Sequence, residues 1–598
     1  MEYNIKVNTE KKEIMVQAKE GIDYLSLLRK HEIPITSDCA GKGTCGKCMI
    51  KFLQPQDPGL TAEEEKLIPK NMINSGYRLA CKQQVQEDSI IFLTGQGEIK
   101  SVVEGIEVDY NLFPVCSRYS IDTNKISSNS NKKGIADELL DLIGLQSIHS
   151  KALNDLGNLY GNVSRITLIT HHKELLNISR KNNIKHLFGL AVDAGTTTLV
   201  IYLLDLINGN TVDYISLTNP QKEFGADVIS RIQFANEIKD GNEKLQATLL
   251  QTLNQAIKNL CKVNSITADN IYNATICGNP FILHSLLGIS SQTIGSYPYR
   301  PLFTSTQIIT AKQLSLNINN RGRIIFMPGL TGNVGSDLTA GLLTIESLSS
   351  FSKLNLLLDI GTNGEVILTA KNKIYCCATA AGPALEGGNI TCGIAGVPGA
   401  IAGVTEEKSN IILNTIDDKQ PAGICGSGII DLIAYLLDKE VVDQTGKISE
   451  DKKNNRIFTY KNQKAYFLHK DKNIFLTQQD IRQIQLAKGA LRTGIEILLK
   501  EANIAINDLD NIFLAGGFGS HLKKKSICRL GILPQGIENK IVKLGNSAGT
   551  GARLYLLDGN ARKKAENYRE NSTYISLAER EDFQNDFVNN MKFPKNRR

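Results

Sequence analysis

One repeated turn restricts this chain more than any other feature. An apolar run leads into Asp193-Ala194-Gly195-Thr196-Thr197-Thr198, and a second apolar run, Leu199 to Leu204, follows. The pattern returns 166 residues later. There Leu354 to Leu358 leads into Asp359-Ile360-Gly361-Thr362-Asn363-Gly364-Glu365, then Val366 to Leu368. Each copy reads as strand, tight D-x-G-T turn, strand. The glycine permits close backbone approach, and turn amides with Thr hydroxyls can cradle phosphate oxygens. The Asp repels phosphate, but it can hold Mg²⁺ through waters or orient an attacking water.

Either turn alone could be an ordinary β-turn. Aspartic proteases also use two Asp turns, but they need Thr or Ser directly after the Asp, where this chain has Ala194 and Ile360. A third element, Ile512-Phe513-Leu514-Ala515-Gly516-Gly517-Phe518-Gly519-Ser520, is a buried strand ending in glycines on which a purine ring could lie flat. Supporting helices are legible. Leu245, Leu249, Leu253, Ile257 and Leu260 form one apolar face. Thr477 with Asp480 predicts a capping box opening a helix that carries Ile484, Leu491 and Leu498. Strands and helices alternate twice, which fits two α/β layers.

A separate signal lies near the N-terminus. Cys39, Cys45 and Cys48 are spaced C-x5-C-x2-C, and Cys81 follows after 32 intervening residues. Four thiolates suit an iron–sulfur cluster. Three come from one loop whose glycines let it fold closely around a cluster. Zinc also accepts four Cys, but usually from two C-x2-C knuckles, and Cys81 stands alone. Tyr3–Val7, Glu13–Val16, Met49–Leu53, Tyr77–Ala80 and Ser89–Leu93 read as strands, and Ile22, Leu25 and Leu28 suggest a short helix.

The rest of the chain narrows the function classes. Its 598 residues are 41% hydrophobic and 22% charged, with a net charge of +7. That is an ordinary globular composition and gives no argument for a nucleic-acid partner. No window is apolar enough to span a membrane, and the first residues lack a secretory layout, so a cytoplasmic protein is expected. Twelve cysteines are too few for a disulfide scaffold. Cys116, Cys376, Cys377, Cys392 and Cys425 match no cluster spacing and read as core thiols. His284 reads as packed. Asp227 and Asp337 are either cleft acids or helix caps. Ile135–Ile143 and Leu153–Tyr160 are helix-prone.

The cysteine region resembles a β-grasp [2Fe–2S] ferredoxin over about 95 residues, with five rather than the plant-type four residues between the first two cysteines. The repeated turns and the glycine motif resemble the acetate and sugar kinase, Hsc70 and actin superfamily over about residues 186–560. That resemblance implies an interdomain nucleotide cleft. It assigns Asp193, Gly195, Thr196 and Thr197 to one phosphate hairpin and Asp359, Gly361, Thr362 and Asn363 to the other. It assigns Gly516, Gly517 and Gly519 to the adenosine site and Gly549-Thr550-Gly551-Ala552 to a connecting helix. Asp193 and Asp359, with Asp227 a further candidate, are the expected catalytic acids.

The expected fold is therefore an α+β β-grasp ferredoxin domain (1–95), a linker (96–112), a small middle domain (113–185) and a two-lobed α/β actin-like ATPase domain (186–598). This order is similar to that of the reductive activators of corrinoid proteins. The similarity includes Asn219-Pro220-Gln221, Phe224-Gly225-Ala226-Asp227 and the stretch Ala380–Gly388. It implies ATP-dependent, one-electron reduction of Co(II) to Co(I) in a corrinoid protein of a methyltransferase system. The cofactors would be a [2Fe–2S] cluster on Cys39, Cys45, Cys48 and Cys81, ATP and Mg²⁺. The partners would be the corrinoid protein, an upstream low-potential electron donor and a second copy in a homodimer. The C-terminal [4Fe–4S] clusters of one branch are ruled out, since Cys528 is the last cysteine. Two alternatives stand beside this reading. One is an activator of a radical-type dehydratase, against which four Cys in one domain argue. The other is a redox sensor that binds a partner according to ATP and cluster state. A flavin- or dinucleotide-linked reductase lacks its G-x-G-x-x-G turn.

Overall fold

The computed structural model describes residues 1–9, 13–31, 33, 35, 41, 43, 46, 48–54, 59–68, 70–93, 104–126, 133–180, 186–361, 364–407, 410–449, 455–595. The N-terminal part is a five-stranded sheet in the order Glu13–Lys19, Glu2–Asn8, Ser89–Phe92, Met49–Gln54, Tyr77–Leu79. Glu2–Asn8 and Ser89–Phe92 pair in parallel at its centre. The helix Tyr24–Lys30 packs on one face through Tyr24, Leu25, Leu27 and Leu28, and Asp23 caps its N-terminus. A hairpin, a helix and a parallel central pair make the β-grasp arrangement.

Next comes a four-stranded sheet in the order Cys116–Asp122, Arg165–His171, Glu174–Arg180, Ser147–Ile148, covered by helices Ile135–Ile143 and Ser150–Leu159. Two ion pairs fasten it to the start of strand Arg323–Phe326: Arg321–Asp155 at 2.7 Å and Arg323–Glu174 at 2.5 Å.

The remaining chain builds two sheets with one topology. The first runs Thr211–Thr218, Thr198–Asp205, Phe188–Ala194, Ile271–Gly278, Arg323–Phe326, Gln307–Thr310. The second repeats the order as Lys373–Thr379, Gly364–Ala370, Asn355–Ile360, Asn511–Ala515, Ile541–Gly545, with Ser572–Tyr574 added beyond Lys373–Thr379. In each, three antiparallel strands are followed by two parallel ones. Strands buried on both sides need near-continuous apolar runs, which is why Leu199–Leu204 and Leu354–Leu358 read as they do. The helix Gly241–Val263 buries Leu245, Leu249, Leu253, Ile257 and Leu260 against the first sheet. The helix Gln478–Ala502 opens on the Thr477–Asp480 capping box and buries Ile484, Leu491 and Leu498 against the second.

Two helices join the lobes. Ser336–Leu348 comes after the first sheet, and Ser547–Leu557 leaves the second and packs on strands Phe188–Ala194 and Ile271–Gly278. They cross so closely that a Cβ on Gly551 would lie 1.9 Å from the Ala340 carbonyl oxygen. Thr344 Oγ1 donates to the Ser547 carbonyl at 2.8 Å. A single apolar core containing Val200, Ala340, Leu357, Phe513 and Leu556 runs through both lobes at this crossing.

Of the stretch predicted as a linker, 96–112, residues 96–103 lie outside the described ones. Residues 104–112 run along the two-lobed part. Gly105 bridges to Gly545, the Ile106 amide donates to Leu544 at 3.1 Å, and the Tyr110 hydroxyl donates to Gly209 at 2.9 Å.

Overpacking a closed contact costs about 1–3 kcal/mol. Gly551→Val should therefore lower the Tm, because both lobes hang on this crossing; a differential scanning calorimetry trace checks it.

Candidate functional site

The first phosphate-type hairpin sits where strand Phe188–Ala194 turns into Thr198–Asp205. The Gly195 amide donates to the Thr198 carbonyl at 2.9 Å, closing the turn. Three side chains from outside the hairpin fix its tip. Asn219 Nδ2 donates to the Gly195 carbonyl at 2.8 Å, and Asn279 Nδ2 to Thr196 Oγ1 at 2.9 Å. Arg231, fully buried, donates through Nη2 to the Thr196 carbonyl at 2.8 Å and through Nε to Gly225 at 2.9 Å. Burial pulls the Arg231 pKa down to about 10.

The local sequence explains two of these. Asn219-Pro220 and Asn279-Pro280 are each an N-cap followed by Pro at the first helical position. Their backbones therefore sit at helix starts, and their amide nitrogens are free to reach the hairpin. Arg231 gave no such signal. It lies on the helix Val228–Glu237, whose N-cap is Asp227. The Asp227 carboxylate accepts from the Ser230 amide at 2.7 Å, so it serves as a cap.

The second hairpin occupies the equivalent place in the second sheet. Asp193 lies opposite Cys277 on its parallel neighbour, and Asp359 lies opposite Ala515. Gly361 and Gly364 flank the turn, while Thr362 and Asn363 lie outside the described residues. The third motif adjoins it: strand Asn511–Ala515 passes into a single helical turn, Gly516–Gly519. Gly516 has φ +84°, and a Cβ there would lie 2.5 Å from Asp359 Oδ1. Gly517 has no heavy atom within 4 Å of its Cβ position, so its face is open.

Carboxyl groups from both lobes meet here. Burial pushes Asp193 up to about 7; a bond from Asn546 Nδ2 to Asp193 Oδ2, 2.9 Å, opposes this and Asp337 adds to it. Burial pushes Asp359 up to about 7 as well, with further repulsion from Asp337, Asp193 and Glu386. Asp337, in the first turn of a connecting helix, rises to about 6 by burial, and Glu365 is raised well above the usual range by burial and then by Asp359. Desolvated like charges of this kind suit a site that takes up a cation with its anionic ligand. Among the described residues no three His, Cys, Asp or Glu side chains gather closely enough to hold a bare ion. The acids therefore fit an ion held mainly through water and phosphate.

At the N-terminal site, Cys39 and Cys45 lie outside the described residues. Cys48 and Cys81 face each other, Sγ–Sγ 3.3 Å, with no disulfide between them. The Ala80 amide donates to the Cys48 carbonyl at 2.8 Å. The buried Glu64 carboxylate pins the Cys81 segment by accepting from the Leu79 amide at 2.7 Å and from Gln83 Nε2 at 2.9 Å. Gly41, Gly43 and Gly46 all have positive φ, a loop shape that other residues resist. Positive-φ glycines leading to Cys48, with Cys81 held rigidly beside it, fit an iron–sulfur cluster. Cys376 and Cys377 do not combine into another site: being adjacent on one strand they enter different cores on opposite faces of the sheet. His284 is buried, with Nδ1 2.7 Å from the Pro280 carbonyl and Nε2 accepting from the Leu302 amide.

Residues 188–348 match the family described as the RACo middle region, and 353–598 that described as the C-terminal ASKHA domain of RACo. The corrinoid activation enzyme RamQ of Eubacterium limosum is 30% identical over 582 residues, covering 94% of this chain and 95% of its own. The chain belongs to the RACo family. A solved structure, the reductive activator for corrinoid,iron-sulfur protein, superposes with a TM-score of 0.72 at 29% identity, over 99% of this chain and 98% of that one. The Co(II) methylated amine-specific corrinoid protein reductase of Methanosarcina barkeri is 25% identical over 409 residues, 62% of this RACo-family chain and 70% of its own. The middle-region family thus falls on the first of the two lobes, and the ASKHA family on the second.

Two measurements probe the cleft. Because the folded chain keeps the Asp359 proton up to about pH 7 and the unfolded chain releases it near pH 4, wild-type stability falls across that window. Asp359→Asn should therefore gain Tm over wild type as the pH of a metal-free buffer is raised through it. Melts of both proteins with the same pH dependence would contradict the burial of this carboxyl. Arg231→Met leaves two carbonyls unpartnered, each worth about 1–3 kcal/mol. It should raise the KM for ATP by roughly tenfold or more, as read in a phosphate-release assay.

Proposed function

We propose that this chain reductively activates a corrinoid protein of a methyltransferase system, passing one electron to Co(II) to give Co(I) at the expense of ATP. The observation that carries the reading is the union, in one chain, of a Cys48–Cys81 pair on a ferredoxin-type sheet with two matched hairpins converging on one acidic cleft. The end-to-end similarity to a corrinoid activation enzyme supports it.

In this reading Cys39, Cys45, Cys48 and Cys81 hold a [2Fe–2S] cluster, which supplies a one-electron carrier. The protein's own task is to place the thiols: Glu64 holds the Cys81 segment, with Cys48 beside it. In the cleft, Gly195, Thr196 and Thr197 receive phosphate from the first lobe, and Gly361, Thr362 and Asn363 from the second. Gly516, Gly517 and Gly519 support the adenosine. Asp193 and Asp359 orient the water shell of Mg²⁺ and the attacking water. The repulsion among Asp193, Asp337, Asp359 and Glu365 would be offset by Mg²⁺ bound with the triphosphate.

ATP is needed because of potential. For a one-electron couple, each ~59 mV of shortfall costs tenfold in the equilibrium, or about 1.4 kcal/mol. A ligand offsets this only by binding two protein states unequally, and a cleft between two lobes that hinge on crossing helices provides two states. The reading includes an upstream low-potential donor, a homodimer and a cytoplasmic setting; no helix among the described residues is long and apolar enough to cross a membrane.

The test is anaerobic visible spectroscopy of a Co(II) corrinoid protein mixed with this protein and a low-potential reductant. A Co(I) band that grows only with ATP is expected. The same yield and rate without ATP would sink the proposal. Cys45→Ser should abolish reduction while leaving ATP binding largely intact, and Asp359→Ala should stop ATP use without bleaching the visible absorbance.

A further inference from the structure

Asn546 makes contacts with three parts of the molecule at once. It ends the strand Ile541–Gly545 and caps the connecting helix Ser547–Leu557, its Oδ1 accepting from the Gly549 amide at 2.7 Å. Its Nδ2 crosses to the other lobe, donating to Asp193 Oδ2 at 2.9 Å and to the Tyr202 hydroxyl at 3.2 Å. Its backbone amide donates to the Glu104 carbonyl at 3.3 Å. Glu104 belongs to the segment that comes after the ferredoxin sheet.

That segment is locked in place. Gly105 bridges to Gly545, and the Ile106 amide donates to Leu544. A Cβ on Gly105 would lie 2.1 Å from Thr550 Oγ1 and 2.6 Å from the Asn546 carbonyl oxygen. Thr550 Oγ1 in turn reaches the Ile106 carbonyl at 3.5 Å and accepts from Arg553 at 3.1 Å, and the Arg553 guanidinium lies 5.1 Å from the centre of the Tyr202 ring. One residue further along, Gly551 sits against Ala340 at the crossing of the connecting helices.

We infer that Asn546 is a positioning residue for Asp193, and that the Gly105–Gly545 contact makes it the point where the ferredoxin-bearing chain is coupled to the cleft. The inference rests on reading that cleft as the ATP site. The Asn546 amide is one planar group. Moving residues 104–106 shifts the Asn546 backbone and tilts the amide that holds Asp193. By reciprocity, a nucleotide that re-orients Asp193 shifts the grip on residues 104–106 by the same free energy. This gives the electron-carrying domain a mechanical report of whether the cleft is filled.

The test uses the full-length protein with its cluster, and no corrinoid protein. Hydrogen exchange at the Ile106 and Asn546 amides is measured with and without ATP and Mg²⁺. At least a tenfold change on saturation is expected in wild type. In both Asn546→Ala and Asn546→Asp it should fall below twofold. The Asp variant preserves the helix cap but removes the donor to Asp193, so wild-type behaviour in Asn546→Asp would reduce Asn546 to a cap and overturn the inference. So would an unchanged exchange in wild type at saturating ATP. Gly105→Ala provides an independent arm: the cluster absorbance stays, while the Kd for ATP shifts at least fivefold. An unshifted Kd overturns the coupling. A protein that shows the ATP-dependent exchange yet never reduces a corrinoid keeps this inference and loses the proposed function; the reverse result does the opposite.

Discussion

Four partly buried carboxyl groups from two lobes, Asp193, Asp337, Asp359 and Glu365, are each raised by burial, and repulsion links them across the lobe boundary. Much of the surrounding architecture serves to hold that unfavourable arrangement in place. Repeated topology brings Asp193 and Asp359 to the same strand ends. Asn546 satisfies one of them across the interlobe boundary. Arg231, Asn219 and Asn279 fix the hairpin whose amides would meet phosphate. A carboxylate cluster left alone would separate. Here it cannot, because the connecting helices press glycine against backbone at Gly551 and Ala340.

The same rigidity shapes the link between the two cofactor regions. Residues 104–106 are hydrogen-bonded to the end of the strand whose next residue, Asn546, touches Asp193. The segment that follows the ferredoxin-type sheet in sequence therefore meets the two-lobed part beside an acid of the cleft rather than at an arbitrary surface. In a protein that must make electron transfer depend on ATP, such an attachment point is where the dependence can be transmitted.

Much of this was legible in the residues. The two D-x-G-T turns, the Thr477–Asp480 box and the apolar face of Gly241–Val263 obey local rules of spacing and capping, and each element lies where its pattern put it. The Cys spacing pointed to the thiol site for the same reason. Arg231 was not legible. A buried arginine on an amphipathic helix carries no periodic or capping signature; its role exists only because Thr196 and Gly225 arrive beside it. Asn546 was hidden likewise. Before a helix it reads as a cap, and its second bond goes to a residue 353 positions away.

The sequence by itself determined which residue types stand in the thiol region and in the two turns, and the division into a ferredoxin-type part and a duplicated α/β part. These arise from residue types at short spacing, where backbone geometry alone sets the outcome. Only the tertiary structure decided which groups share an environment: that Asp337 repels both Asp193 and Asp359, that Cys376 and Cys377 part to opposite faces, and that Glu104 and Asp193 both bond to Asn546. Electrostatic repulsion, burial and hydrogen bonding depend on distance in space, and the fold brings together residues that the chain keeps hundreds of positions apart.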